Sequence, residues 1–217
     1  MKKAIIFDMD GTLFQTNLIL EPALSATFDV LRTKGLWQGE TPIAQYREIM
    51  GVTLPVVWET LCPMHTLEVR EASNVLFHEK LIELIRNGKG ALYPNAEQTL
   101  ATLANDYHLY IASNGQKEYL QAIVETYKLN RFIEGTYSIQ SIPSGHKSDL
   151  VRSVIEENSI QAGAVVGDRS SDIQAARDNQ LFSIAVRFDF AQESELQKAH
   201  IVIDNLQEIP SALATIL

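Results

Sequence analysis

The sequence predicts an α/β chain built on a doubly wound parallel sheet, with an all-helical block inserted after the first strand. Three observations predict it. A short apolar run, Lys3–Phe7, reads as a buried strand. From residue 92 onward, strand-like and helix-like segments alternate at the spacing of a parallel sheet covered on both faces. Between the two, residues 18–86 carry helix signals and almost nothing strand-like.

Within that block, Thr41-Pro42 reads as an N-cap followed by proline at the first helical position. Ile43, Tyr46 and Met50 then share a face, and Gly51 ends the helix. A second helix is expected over 66–86, with Val69, Leu76, Leu81 and Leu84 as apolar positions and Asn87-Gly88-Lys89-Gly90 as its breaker. Trp37, Trp58 and Phe77 are read as core of this block, with one of them open to line a substrate face, and Cys62 as a packed small residue. Beyond it, Asn95 caps a helix carrying Leu100 and Leu103 on one face. A strand over 108–112, a helix over 118–127, a strand over 136–140 and a helix over 148–158 follow. Then come a strand over 163–166, a helix over 171–178 and strands over 182–186 and 201–203. The first strand belongs with this alternation, so residues 1–16 and 87–217 are expected to form one core and residues 17–86 a helical insert.

The 217 residues are 46% hydrophobic and 21% charged, enough to bury a sizeable core and too apolar for a disordered chain. A net charge of −9 argues against a nucleic-acid or anionic-membrane binder, which needs a basic face. Apolar stretches such as residues 4–7 and 162–166 are far too short to span a bilayer. Asp8 and Asp10 interrupt the apolar run behind Lys2-Lys3, which argues against a signal peptide and for a cytoplasmic protein. The single cysteine excludes an internal disulfide and a multi-cysteine metal site.

Ligands of doubly wound sheets bind beyond the carboxyl ends of the strands. Four segments there carry polar groups: Asp8-Met9-Asp10-Gly11-Thr12, Ser113-Asn114-Gly115, Gly145-His146-Lys147, and Gly167-Asp168-Arg169-Ser170-Ser171-Asp172. Carboxylates sharing a crevice repel each other, which raises a pKa or recruits a cation. Four acids without a histidine or thiol cluster suit a hard cation, Mg²⁺ before zinc. Lys147 and Ser113 add a positive charge and a hydroxyl for an anion. This set suits phosphoryl transfer, including the route through a carboxylate nucleophile.

At these residues the chain resembles the haloacid dehalogenase superfamily. Residues 8–13, Asp-Met-Asp-Gly-Thr-Leu, are similar to its first motif, and Ala112-Ser113-Asn114-Gly115 to its second. Lys147-Ser148-Asp149-Leu150 resembles the third, and Gly167-Asp168-Arg169-Ser170-Ser171-Asp172-Ile173 the fourth. The helical insert sits where that superfamily places its small cap, so the likeness covers nearly the whole chain. The residues Val166-Gly167-Asp168-Arg169 and the helical cap resemble the phosphoglycolate phosphatase-like branch.

The resemblance implies a Mg²⁺-dependent phosphomonoester hydrolase acting on a small phosphorylated metabolite through an aspartyl-phosphate. Asp8 would be the nucleophile, and Asp10 the acid for the leaving oxygen and the base for the hydrolytic water. Ser113, Asn114 and Lys147 would bind the substrate's phosphoryl group. Asp8, the backbone carbonyl of Asp10, and Asp168 would hold Mg²⁺, with Asp172 supporting them. An acid at position 10 favours phosphate chemistry over dehalogenation. A sugar-phosphate phosphomutase and a pyrophosphatase of the same fold are alternatives, and a non-catalytic phospho-ligand sensor is a rival of another class. Specificity is expected at Gly51-Val52-Thr53-Leu54 and near Asn17. The chain departs from the superfamily's pattern at Gln15, where an acid is common, at Arg169, where threonine or serine is commoner, and at Asn179-Gln180, where Ala-Gly is usual. Asn179 is expected to supply the left-handed residue that ends its helix.

Overall fold

A computed structural model describes residues 2–49, 52 and 54–216. Six parallel strands form one sheet in the order β3-β2-β1-β4-β5-β6. They are β1 (Lys3–Phe7), β2 (His108–Ser113), β3 (Gly135–Ser138), β4 (Ala162–Gly167), β5 (Phe182–Val186) and β6 (Ile201–Ile203). β1 lies at the centre, with Ile6 beside Tyr110 on one flank and Val165 on the other. The chain winds outward from it in both directions, so the carboxyl end of β1 opens the crevice at the switch point.

The strands alternate their side chains between two cores. Ile5, Phe7, Leu109, Ile111, Ala164 and Val166 face one cluster, while Ala4, Ile6, Tyr110, Ala112 and Val165 face the other. All of these are buried, which explains the continuous apolar runs where a one-sided sheet would show alternation. The flanking helices are α5 (Ala96–Leu103), α6 (Lys117–Thr126), α7 (Lys147–Asn158), α8 (Ser170–Asp178), the short α9 (Glu193–Leu196) and α10 (Ile209–Ile216).

Between β1 and α5 the regular elements among the described residues are all helices: α1 (Asn17–Thr33), α2 (Ile43–Glu48), α3 (Leu54–Leu61) and α4 (Leu67–Arg86). In α1 the buried residues Ile19, Leu20, Ala23, Leu24, Phe28 and Leu31 recur at three- and four-residue spacing, a stripe that packs on α4. Trp58 and Phe77 are fully buried in the same cluster, their rings 6.0 Å apart and edge-on. Cys62 is buried and free, and burial pushes its thiol up to about 11, as suits a packed residue.

Local expectations needed correction at several points. Pro42, not Thr41, occupies the N-cap position of α2, and no side chain caps that helix. Met50 and Gly51 lie outside the described residues. Thr66 does cap α4, its hydroxyl accepting the Val69 N–H at 3.4 Å, and Gly88 beyond its end adopts a φ of 67°. Asn95 stands before α5 with a left-handed φ of 66° and makes no cap hydrogen bond; its amide reaches Asn205 instead. β3 ends two residues before its expected limit, because the Ser138 hydroxyl accepts the Gln140 N–H at 3.2 Å and turns the chain. After α8 the left-handed residue is Gln180, with φ 57°, not Asn179. Asn179 donates its side-chain amide to the carbonyls of Ser148 and Ala175, joining α8 to α7.

Candidate active site

The Asp8 N–H still donates to Val166 O at 2.8 Å, so this acid leaves the sheet centre alongside β4. The chain then folds back on itself. Met9 O accepts the N–H groups of Leu13 and Phe14 at 3.0 and 2.9 Å. Gly11 sits in this turn with a φ of 73°, a conformation open to glycine. A Cβ there would come within 2.5 Å of Asp168 Oδ2. The turn sends the Asp8 and Asp10 side chains to different partners.

Asp8 joins Asp168 and Asp172, both presented by the end of β4 and the start of α8. Carboxylate oxygens of the three lie within 4.8 Å of one another, and all three residues are buried. A buried cation enters this group. Lys147, the first residue of α7, brings Nζ to 2.8 Å from Asp8 Oδ1 and 2.5 Å from Asp172 Oδ1. Those two acids hold its ammonium charged and raise its pKa against the cost of burial. Asp172 also works locally, since its Oδ2 accepts the Arg169 N–H at 3.1 Å at the start of α8. The Thr12 hydroxyl donates to Asp168 Oδ1 at 3.2 Å.

One ammonium among three carboxylates leaves the group short of positive charge. Burial first, then Asp8 and Asp172, push the Asp168 carboxyl far above the usual range. Burial likewise raises Asp172, against the pull of Lys147. An all-oxygen, acid-rich, buried donor set fits a hard divalent cation such as Mg²⁺.

Asp10 stands apart from the three. Its Oδ1 accepts hydrogen bonds from the hydroxyls of Thr16 and Tyr119, the latter at 2.5 Å. Thr16 occupies the N-cap position of α1 yet spends its hydroxyl here and not on the helix. Burial lifts Asp10 to about 6; the two hydroxyl donors oppose that rise, and Asp8 adds to it. A buried carboxyl raised toward neutral pH beside a second, lysine-paired carboxylate can chemically serve as a proton donor or acceptor.

Ser113 ends β2, is buried, and accepts the Gly115 N–H at 3.1 Å. It is not a helix cap, because α6 begins four residues later behind Gln116. Ser113, Asn114, Asp8, Asp10 and Asp168 line one cavity of about 70 Å³ between the sheet's carboxyl edge and the inserted helices. The insert contributes Tyr46, Val52, Val57, Phe77, His78 and Leu81 to its wall. The sequence-expected residues thus converge on one place, with Lys147 behind Asp8.

Of the positions expected to set specificity, Val52 lines the cavity, and near Asn17 it is the neighbouring Thr16 that does so. Gly51 and Thr53 lie outside the described residues. Gln15 crosses to the returning strand of chain, its Nε2 donating to Leu92 O at 2.7 Å. Arg169 holds Glu195 through Nε at 3.1 Å. Sequence reasoning gave Tyr119, Tyr46 and His78 no part in the site. Each looks like an ordinary helix or linker residue, and no spacing relates it to the acids.

The family described as haloacid dehalogenase-like hydrolase matches residues 5–186. No curated protein matches the chain. Among solved structures, a predicted phosphoglycolate phosphatase from Haemophilus somnus is similar at TM-score 0.84 and 20% identity, covering 98% of each chain. A predicted phosphatase from Clostridium acetobutylicum gives 0.82 and 19%, covering 100% of each. CbbY from Rhodobacter sphaeroides, solved in complex with phosphate, gives 0.81 and 18%, covering 96% of each. At these identities the likeness is one of fold.

Proposed function

The chain belongs to the haloacid dehalogenase-like hydrolase family, and from that premise we propose that it is a Mg²⁺-dependent phosphomonoester hydrolase acting on a small phosphorylated metabolite. The observation that carries the reading is Lys147 bridging Asp8 and Asp172 inside a buried three-acid cluster. Such a site is built to receive both a cation and the anionic group it neutralises.

In this reading Asp8 attacks phosphorus, forming an aspartyl-phosphate as the bond to the ester oxygen breaks. Asp10, held near neutrality by its buried position, gives its proton to the departing oxygen. Asp10 then takes a proton from the water that attacks the aspartyl-phosphate, which returns free Asp8 and inorganic phosphate. Thr16 and Tyr119 aim the Asp10 carboxyl for both transfers. Lys147 offsets the charge of Asp8 and, with Ser113 and Asn114, receives the phosphoryl oxygens. Asp8, Asp168 and the backbone carbonyl of Asp10 would hold Mg²⁺, supported by Asp172, and the ion would neutralise charge on the phosphoryl group. Residues 17–86 act as a cap whose closure keeps bulk water from the aspartyl-phosphate.

The test is phosphate release from a panel of phosphomonoesters with Mg²⁺ and with EDTA, alongside Asp8→Asn. The expected result is Mg²⁺-dependent release that falls at least about a thousandfold in the variant. A fully active Asp8→Asn protein would sink the assignment.

A further inference from the structure

The cap wall of the cavity contains a polar group that nothing in the chain satisfies. His78, on α4, is 7% exposed, and neither ring nitrogen has a hydrogen-bond partner. Buried imidazoles ordinarily pair both nitrogens, one as donor and one as acceptor. This one lines the cavity and meets the Tyr119 ring edge-on, with centroids 6.1 Å apart. Tyr119 is the residue that holds Asp10. His78 therefore stands beside the residue that holds Asp10, on the wall the inserted helices give the cavity.

The same wall is uncharged. Tyr46, Val52, Val57, Phe77 and Leu81 complete it, and among the described residues it carries no ammonium or guanidinium. Burial drives the His78 ring down to about 4, so it stays neutral near pH 7. The guanidinium that does line the cavity, Arg169, lies on the core side and is engaged by Glu195. A carboxylate or second phosphate at the cap end would lose its water and find no cation. A hydroxyl would find a donor and an acceptor, and its carbon skeleton would meet Val57, Phe77 and Leu81.

We propose that His78 hydrogen-bonds the leaving group of the substrate, and that this substrate is the phosphate monoester of a small uncharged alcohol bearing at least one further hydroxyl. The inference rests on the hydrolase reading above and names the substrate class of the same site.

Three esters test it: glycerol phosphate, uncharged beyond the ester and hydroxylated; ethyl phosphate, uncharged without a hydroxyl; and phosphoglycolate, carrying a carboxylate. In kcat/KM, glycerol phosphate is expected to exceed each of the others by about tenfold, one hydrogen bond's worth of discrimination. In His78→Phe its advantage over ethyl phosphate should collapse, mostly through KM, and His78→Gln should keep part of it. Calorimetric binding of glycerol phosphate to Asp8→Asn, with and without His78→Phe, reads the same contact without turnover. A preference for phosphoglycolate, or an equal loss on all three esters in both His78 variants, would overturn the inference. Release of no phosphate from any ester, with His78-dependent binding intact, would overturn the hydrolase reading and with it the leaving-group role, and leave only the His78 contact to the hydroxylated ester. Neither release nor binding would overturn both.

Discussion

The Tyr119 phenol and the Asp10 carboxylate stand 2.5 Å apart although 109 residues separate them in sequence. Tyr119 projects from α6, in the stretch after β2, and Asp10 from the loop after β1. Their meeting holds one acid of the Asp8/Asp10 pair apart from the three-acid cluster that Asp8 joins. A hydroxyl donor favours the ionised carboxylate and so restrains the rise that burial causes.

Tyr119→Phe removes that restraint, so the Asp10 pKa should climb further above about 6. If Asp10 donates its proton in the first step, kcat/KM falls as pH rises through that pKa. The descending limb of the kcat/KM profile is therefore expected to move to higher pH in the variant. A profile measured from pH 5 to 8 on one ester checks it, and an unmoved limb would detach Tyr119 from the acid.

Asp168→Asn separates stability from metal binding. The Asp168 carboxyl resists ionisation because burial, Asp8 and Asp172 all oppose its charge. Without metal, the variant should melt no lower than the parent protein. With Mg²⁺ at a hundredfold its dissociation constant, the parent gains about 2.7 kcal/mol, and the variant should gain little. Thermal melts with Mg²⁺ and with EDTA decide this.

Gly11→Ala meets two obstacles at once. The position has a φ of 73°, and the new methyl would press on Asp168 Oδ2. We expect a loss of about 1–3 kcal/mol in a denaturant titration, with Mg²⁺ affinity falling as Asp168 is displaced. A neutral result would show that the loop after β1 has freedom to shift.

His78 makes stability depend on pH in a defined window. Its folded pKa, about 4, lies below the ordinary 6.5, so its contribution is complete above pH 6.5 and is lost as pH falls toward 4. Between pH 7 and pH 5 the parent should lose about 2 kcal/mol more than His78→Gln. Urea midpoints at the two pH values measure the difference.

The parallel sheet was legible because β1, β2 and β4 are buried on both faces, which forces continuous apolar runs such as Ala4-Ile5-Ile6-Phe7. Asp8 and Asp168 were legible as candidates because each stands at the end of such a run, where doubly wound sheets place their ligands, with Asp10 and Asp172 following within four residues. The sequence pattern resolves none of the helices α1, α3, α9 and α10 individually, and Pro42, not the expected Thr41, takes the N-cap place of α2. Helix ends depend on which side chain wins a few local hydrogen bonds, and pattern alone does not weigh them. Asn179 shows the same limit: its amide found two carbonyls across α7 and α8, and Gln180 took the left-handed turn.

The sequence by itself determined the α/β class and the order of the six strands, and it offered Asp8, Asp10, Ser113, Lys147, Asp168 and Asp172 as candidate site residues. These follow from short-range rules, apolar periodicity and what stands immediately after a strand. Only the tertiary structure decided how those acids divide, with Lys147 joining Asp8 to Asp172 and with Thr16 and Tyr119 claiming Asp10. It alone brought His78 to the cavity wall with both nitrogens unpaired. The physical reason is that pairing and desolvation are set by distance in space, and residues far apart in the chain meet only once the insert has packed against the sheet's carboxyl edge.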